Sequence, residues 1–352
     1  MPTPVKNQST DWRELYPFES HWHEPCSGYG RMHYLDEGPL DSSKGDTAET
    51  LLFVHGNPTW SFHWRRLIVA LRDRYRCVAP DHIGCGLSDK PRRLLRLWKH
   101  IDHLSSLIST LELNRITLIA QDWGGAIGLA AMLGTPYRFE KIILFNTGAF
   151  PPRYIPWRIR ACRIPVLGRM AVQGANLFSR AALRMTLARQ QGLERAVAAG
   201  YLAPYDSWAN RRAVYGFVRD IPSPQTGYMP EVAPNPRSEC FIELQDLVAD
   251  HQTWRTLAAV ERHLPSLANR RALLIWGMRD WCFRPDCLDR FIEAWPQAEV
   301  HRLADVGHWV VEDAPEEALA IVEQFLGSQP SAVGSRPEYP PGRQPKADSR
   351  QP

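Results

Sequence analysis

Short apolar runs that each break into a polar loop containing glycine or proline constrain this chain more than any other feature. LLFVHGNP (Leu51 to Pro58), RCVAPDHIGCG (Arg76 to Gly86) and ITLIAQDW (Ile116 to Trp123) follow one another with helix-type segments between them. Strand-type and helix-type segments alternate in this way through most of the length, without a repeat of fixed period. That rhythm predicts an α/β fold, a mostly parallel sheet flanked by helices. In open sheets of this kind the strand ends gather along one edge, and ligands bind there.

The alternation is interrupted once. After KIILFNTGAF (Lys141 to Phe150), read as the next strand, residues 151–245 consist of irregular proline-containing segments and helices, the pattern of an inserted helical cap. The rhythm returns with RALLIWGMRD (Arg271 to Asp280), AEVHRLADVGHW (Ala298 to Trp309) and a closing helix, APEEALAIVEQFLG. The expected organisation is a core in two parts, 1–150 and 246–328, with the cap at 151–245 between them. A chain of 352 residues, 44% of them hydrophobic, can fill such a core. Residues 329–352 are rich in Pro, Ser and Gly, and a disordered tail is expected there.

With 42 basic against 38 acidic residues, the formal charge of +4 gives no argument for a nucleic-acid partner. Its distribution is more informative. No acidic residue occurs between Glu140 and Glu194, while Arg153, Arg158, Arg160, Arg163, Arg169, Arg180, Arg184 and Arg189 alternate with apolar residues such as Trp157, Ile164, Leu167 and Leu177. A basic, apolar face suits a membrane surface, an anionic amphiphile or an acidic partner protein; an arginine-rich solvated face over a cap core would read the same way. MPTPVKNQSTDWRE at the N-terminus has no apolar h-region, and no apolar run reaches the roughly 18 residues a span needs. A cytoplasmic location is expected, with peripheral membrane association through the cap left open. The seven cysteines lack CxxC spacing and indicate neither a disulfide framework nor a zinc site; Cys282 and Cys287 are read as free thiols. No cofactor or metal motif is present.

Ala120-Gln121-Asp122-Trp123-Gly124 fits a small-x-nucleophile-x-Gly elbow, a sharp strand-to-helix bend that displays its central side chain, with Ala120 where glycine is more usual. An aspartate that merely caps the next helix would give the same letters. Asp280 follows the strand ALLIWG and His308 the strand EVHRL, so nucleophile, acid and histidine occur in the chain order of α/β-hydrolases. Taken singly, Asp280 could pair with Arg279 or Arg284, and His308 could cap the last helix. In HGNP, Asn57 offers a side-chain amide, and Trp123 an indole N–H, as donors for an anion. His55 reads as a structural histidine bonding the loop backbone, and DHIGCGLSDKP as loop architecture. Serine suits attack on a carbonyl after deprotonation, whereas an ionised Asp can displace a leaving group from saturated carbon. Asp122, His308, Asp280, Asn57 and Trp123 together point to cleavage of a carbon–heteroatom bond that releases an anion.

Through HGNPTWSFHWR, DHIGCGLSDKP, QDWGGAIG and VGHWVVED the chain resembles the haloalkane dehalogenase branch of the α/β-hydrolases over roughly residues 15 to 325. The resemblance implies an α/β-hydrolase fold with Asp122 as nucleophile, His308 as base, Asp280 as orienting acid, and Asn57 with Trp123 holding the anion. Many dehalogenases place the acid after the sixth strand, where this chain has Phe145-Asn146-Thr147 and no carboxylate. NTGAFPPRYIPWRIRACRIPVLG, LAPYDSWANR and LLIWGMRDWCF further resemble the β-lactone decarboxylases of bacterial long-chain olefin biosynthesis. That likeness implies conversion of a cis-3-alkyl-4-alkyloxetan-2-one to a cis-alkene and carbon dioxide, a hydrophobic substrate with alkyl chains, and assembly with other olefin-pathway enzymes. The alternatives are a haloalkane dehalogenase, an epoxide hydrolase using Tyr154, Tyr201, Tyr205 or Tyr215 as acids, and a non-catalytic scaffold. For a lactone, attack of Asp122 at the ring carbon bonded to oxygen and attack at the carbonyl both remain open.

Overall fold

The computed structural model describes residues 11–25, 28–39, 49–223 and 253–327. The expected tail at 329–352, the cap stretch 224–245, Cys26 and Cys240 lie outside the described residues. Eight strands, β1 (His21–His23), β2 (Met32–Glu37), β3 (Thr50–Val54), β4 (Arg76–Pro80), β5 (Ile116–Asp122), β6 (Phe139–Thr147), β7 (Arg271–Gly277) and β8 (Glu299–Leu303), form one sheet in the order β1-β2-β4-β3-β5-β6-β7-β8. From β4 to β8 every pairing is parallel, whereas β1 and β2 run antiparallel at one edge. This is the mostly parallel sheet that the alternating pattern predicts. The antiparallel pair was not foreseen: β1 has three residues, and MHYLDE mixes polar and apolar residues too evenly to stand out.

Because side chains alternate across a strand, each apolar run feeds two cores. Leu118, Ala120, Leu144 and Leu274 pack with helices α2 (Leu97–Thr110) and α3 (Trp123–Gly134) on one face. Leu51, Phe53, Ile119, Ile143 and Ile275 pack on the other face, against residues of α1 (Arg65–Leu71) and the closing helix (Pro315–Gly327). Burial on both faces explains why these strands read as continuous apolar runs; each fully buried aliphatic side chain contributes on the order of 1.5–3 kcal/mol.

Between β6 and β7 the described chain is helical: α4 (Trp157–Cys162), a π-helical turn (Met170–Gly174), α5 (Leu177–Met185), α6 (Arg195–Leu202) and α7 (Arg212–Asp220). Buried polar ties hold these helices to the sheet domain. Tyr201 donates to Glu312 (2.7 Å) and is hydrogen-bonded to His63 (2.7 Å), while Glu312 also pairs with buried Arg65. Asp313 accepts from the amides of Ala188, Arg189, Gln190 and Gly307. Asp220 receives Arg96 and the amide of Leu97.

Burial lowers the pKa of His55, His63, His82 and His100, and lowers that of His103 to about 4. These imidazoles stay neutral in the fold and gain protons on unfolding, so below their ordinary pKa the unfolded chain binds more protons and stability falls with pH. The urea midpoint is expected to drop between about pH 7.5 and about pH 5.5; an unchanged midpoint would contradict this account of the buried histidines.

Candidate active site

Asp122 ends β5 with φ 53° and ψ −130°, a backbone conformation that a non-glycine residue adopts only where its surroundings enforce it. Small neighbours make the bend possible. A Cβ on Gly124 would lie 2.1 Å from the Val54 carbonyl oxygen, and one on Gly56 would lie 2.2 Å from the Asp122 carboxylate. Thr147, at the end of β6, donates its hydroxyl to the Asp122 carbonyl. The carboxylate makes no capping bond to α3, so the capping alternative does not describe it. It turns instead toward the HGNP loop, where Oδ1 accepts the Asn57 amide at 2.7 Å. Burial pushes its pKa up; nearby His308 and the amides of Asn57 and Trp123 pull the other way.

His308 faces two carboxylates. Its Nδ1 is 2.7 Å from Asp280 Oδ2, and its Nε2 is 3.8 Å from Asp122 Oδ2. Asp280 is fully buried, and its other oxygen accepts the Cys282 amide at 2.7 Å. Its partner is therefore His308 and neither Arg279 nor Arg284. Burial by itself would lower the His308 pKa, but the charge and hydrogen bond of Asp280, followed by the charge of Asp122, outweigh it and the net shift is upward.

Three supporting residues were not singled out from the sequence. Gln121 donates its side-chain amide to the His308 carbonyl, Phe283 stacks on the imidazole at 5.5 Å, and Asn146 exchanges two bonds with Gly277, at 2.7 and 3.0 Å. Asn146 thus fastens β6 to the end of β7, where the loop to Asp280 begins. The only signal in the sequence was position: Gln121 directly precedes the elbow residue, and Asn146 lies in the Phe145-Asn146-Thr147 stretch that closes the following strand.

Asn57 and Trp123 sit beside Asp122 and line the same cavity of about 430 Å³. Asn57 Nδ2 already donates one bond, to the Val214 carbonyl of α7 at 3.2 Å, which leaves its second hydrogen for a ligand. The Trp123 ring packs against Phe217, with centroids 5.5 Å apart. From Asp122 the cavity runs between Ile155, Ile159, Leu177, Phe178, Met185 and Trp281 of the cap and the β7 loop. Of the tyrosines considered as acids, only Tyr154 lines it; Tyr201 and Tyr205 are committed to Glu312 and to the Thr59 carbonyl. His55 bonds the Gly56 carbonyl and accepts the His82 amide, as expected of a loop-organising histidine. Cys282 and Cys287 are free thiols.

The sequence profile of the family described as the alpha/beta hydrolase fold matches residues 49–315. The chain belongs to the α/β-hydrolase fold family. It is 35% identical to a cis-3-alkyl-4-alkyloxetan-2-one decarboxylase of Shewanella oneidensis, covering 89% of each chain. With a protein of the same name from Xanthomonas campestris it shares 36% identity, over 85% of this chain and 93% of that one. A protein of Mycobacterium tuberculosis named haloalkane dehalogenase 2 is 33% identical, over 89% and 96%. Among solved structures, a haloalkane dehalogenase of Bradyrhizobium elkani superposes with a TM-score of 0.72 at 24% identity, covering 88% of this chain and 98% of that one. That last likeness concerns the fold.

Since Asp280 is the main influence raising the His308 pKa, Asp280→Asn is expected to lower it. An NMR titration of the His308 imidazole reads this directly; an unchanged value would show that Asp280 does not set the charge of the ring.

Proposed function

We propose that this hydrolase-fold chain is a carbon–carbon lyase that converts a cis-3-alkyl-4-alkyloxetan-2-one to a cis-alkene and carbon dioxide. The observation that carries the reading is the cavity: a carboxylate nucleophile and two anion donors meet at one end of an apolar space of about 430 Å³ that extends under the cap. A substrate with a polar four-membered ring and two alkyl chains matches that division. The decarboxylases named above, similar over nearly the whole chain, support the same choice.

In this mechanism Asp122 Oδ2 attacks the ring carbon bonded to oxygen, forming an alkyl–aspartyl ester as that carbon–oxygen bond breaks. The freed carboxylate is received by the Trp123 indole, the second Asn57 side-chain hydrogen and His308. The bond between the carboxylate carbon and the adjacent carbon then breaks to give carbon dioxide. Its electrons form the alkene, and the ester bond to Asp122 breaks. Inversion followed by anti elimination preserves the cis relationship, and no water is consumed. The Asn57 amide favours attack at the ring carbon over attack at the carbonyl. It is bonded to Asp122 Oδ1, orienting the carboxylate, and is thereby not free to receive the oxygen of a substrate carbonyl.

With its pKa raised, His308 serves here as a cation that stabilises the departing carboxylate, not as a base. Turnover should therefore need Asp122 ionised and His308 protonated, giving a bell-shaped pH profile whose basic limb lies above the ordinary histidine value. A rate that only rises with pH would instead make His308 a general base, as hydrolysis of a halogen-derived ester requires.

The proposal is tested by incubating purified protein with a cis-dialkyl β-lactone and, separately, with a bromoalkane. Alkene from the lactone is expected; bromide release without alkene would overturn the proposal in favour of dehalogenation. Asp122→Ala should lower alkene formation by on the order of 10³-fold or more while leaving the fold intact, and full activity in that variant would end the mechanism.

A further inference from the structure

We propose that the cap docks on an anionic lipid bilayer and admits its substrate from the lipid phase; this rests on the reading of the site as one for an alkyl-chain lactone. The cap exposes large apolar side chains to an unusual degree. Trp157 is 65% exposed, Val166 72%, Leu167 69%, Met170 55% and Leu177 54%, with Ile164 at 47%. They are neighbours: α4 packs on the turn at Leu167–Arg169, that turn continues into the π-helical Met170–Gly174, and the latter packs on α5. Large side chains gathered in one segment mark a surface that contacts another apolar phase.

Charge and the position of the cavity identify that phase. Arg153, Arg158, Arg160, Arg180 and Arg184 are exposed around the patch, and none forms an ion pair with a carboxylate of the described residues. An apolar face rimmed by exposed arginines is complementary to a bilayer, whose interior takes the apolar side chains while its anionic headgroups meet the guanidinium groups. Leu167 and Leu177 belong both to the exposed patch and to the cavity lining, so the space leading to Asp122 opens through the patch itself. A water-insoluble substrate would then pass from bilayer to Asp122 without crossing water.

The surface is tested by flotation of the full chain with vesicles of phosphatidylcholine alone and with about 30% phosphatidylglycerol, at low and high salt. Binding to the anionic vesicles that is weakened by salt is expected. The charge reversal Arg160→Glu with Arg180→Glu should weaken it more than about tenfold, as should the triple change Trp157→Ser, Val166→Ser and Met170→Ser. These residues stand outside the cavity lining, so both variants should still convert a short-chain lactone presented in solution. Failure of the native chain to float with anionic vesicles, including capture of an acidic protein in place of lipid, overturns this inference and leaves the assignment of the site standing. Loss of alkene formation from the soluble lactone in the native chain would instead remove the reading on which it rests.

Discussion

Everything in the site depends on the backbone at Asp122. Its positive φ costs on the order of 1–3 kcal/mol for a residue with a side chain, and the fold sustains it by pairing β5 between β3 and β6 and seating Gly124 against the end of β3. Thr147 then fixes the carbonyl of the strained residue from the neighbouring strand. The bend raises the carboxylate above the edge of the sheet, where the loops after β3, β7 and β8 can reach it. With a relaxed bend, Asn57, Asp280 and His308 would still lie at their strand ends, but with no common point to converge on.

Electrostatics follow from that geometry. Two carboxylates with a histidine between them, all largely withdrawn from water, favour a protonated imidazole despite the cost of burying it. The same burial raises the pKa of Asp122; His308 and the amides of Asn57 and Trp123 offset part of that penalty, and the Asn57 amide fixes Oδ1. The other oxygen is left facing the cavity end and His308. An arrangement of this kind suits a reaction in which negative charge moves off the substrate ring and is received within a hydrogen-bond length of its origin.

Much of this was legible in the sequence because parallel strands buried on both faces must be apolar throughout, and the loops that end them carry the residues of the candidate site. QDWGG, HGNP, WGMRD and VGHW each stood directly after such a run, and the structure brings their residues to one point. The first two strands were not legible, since an edge hairpin with one solvated face carries little hydrophobic signal. Nor were Gln121, Asn146 and Phe283: each acts through a contact between segments distant in sequence, and none belongs to a local pattern. The bond from Asn57 to Val214 was invisible for the same reason, though it ties the HGNP loop directly to the cap.

The central claim is that Asp122 leaves its covalent adduct by elimination and not by hydrolysis. It is tested most directly by turning over a cis-dialkyl β-lactone in water enriched in oxygen-18 and measuring the mass of the peptide that contains Asp122. Alkene accumulation with an unlabelled Asp122 is the predicted result. Oxygen-18 appearing in the Asp122 carboxylate would show that water cleaves the ester, and would contradict the account.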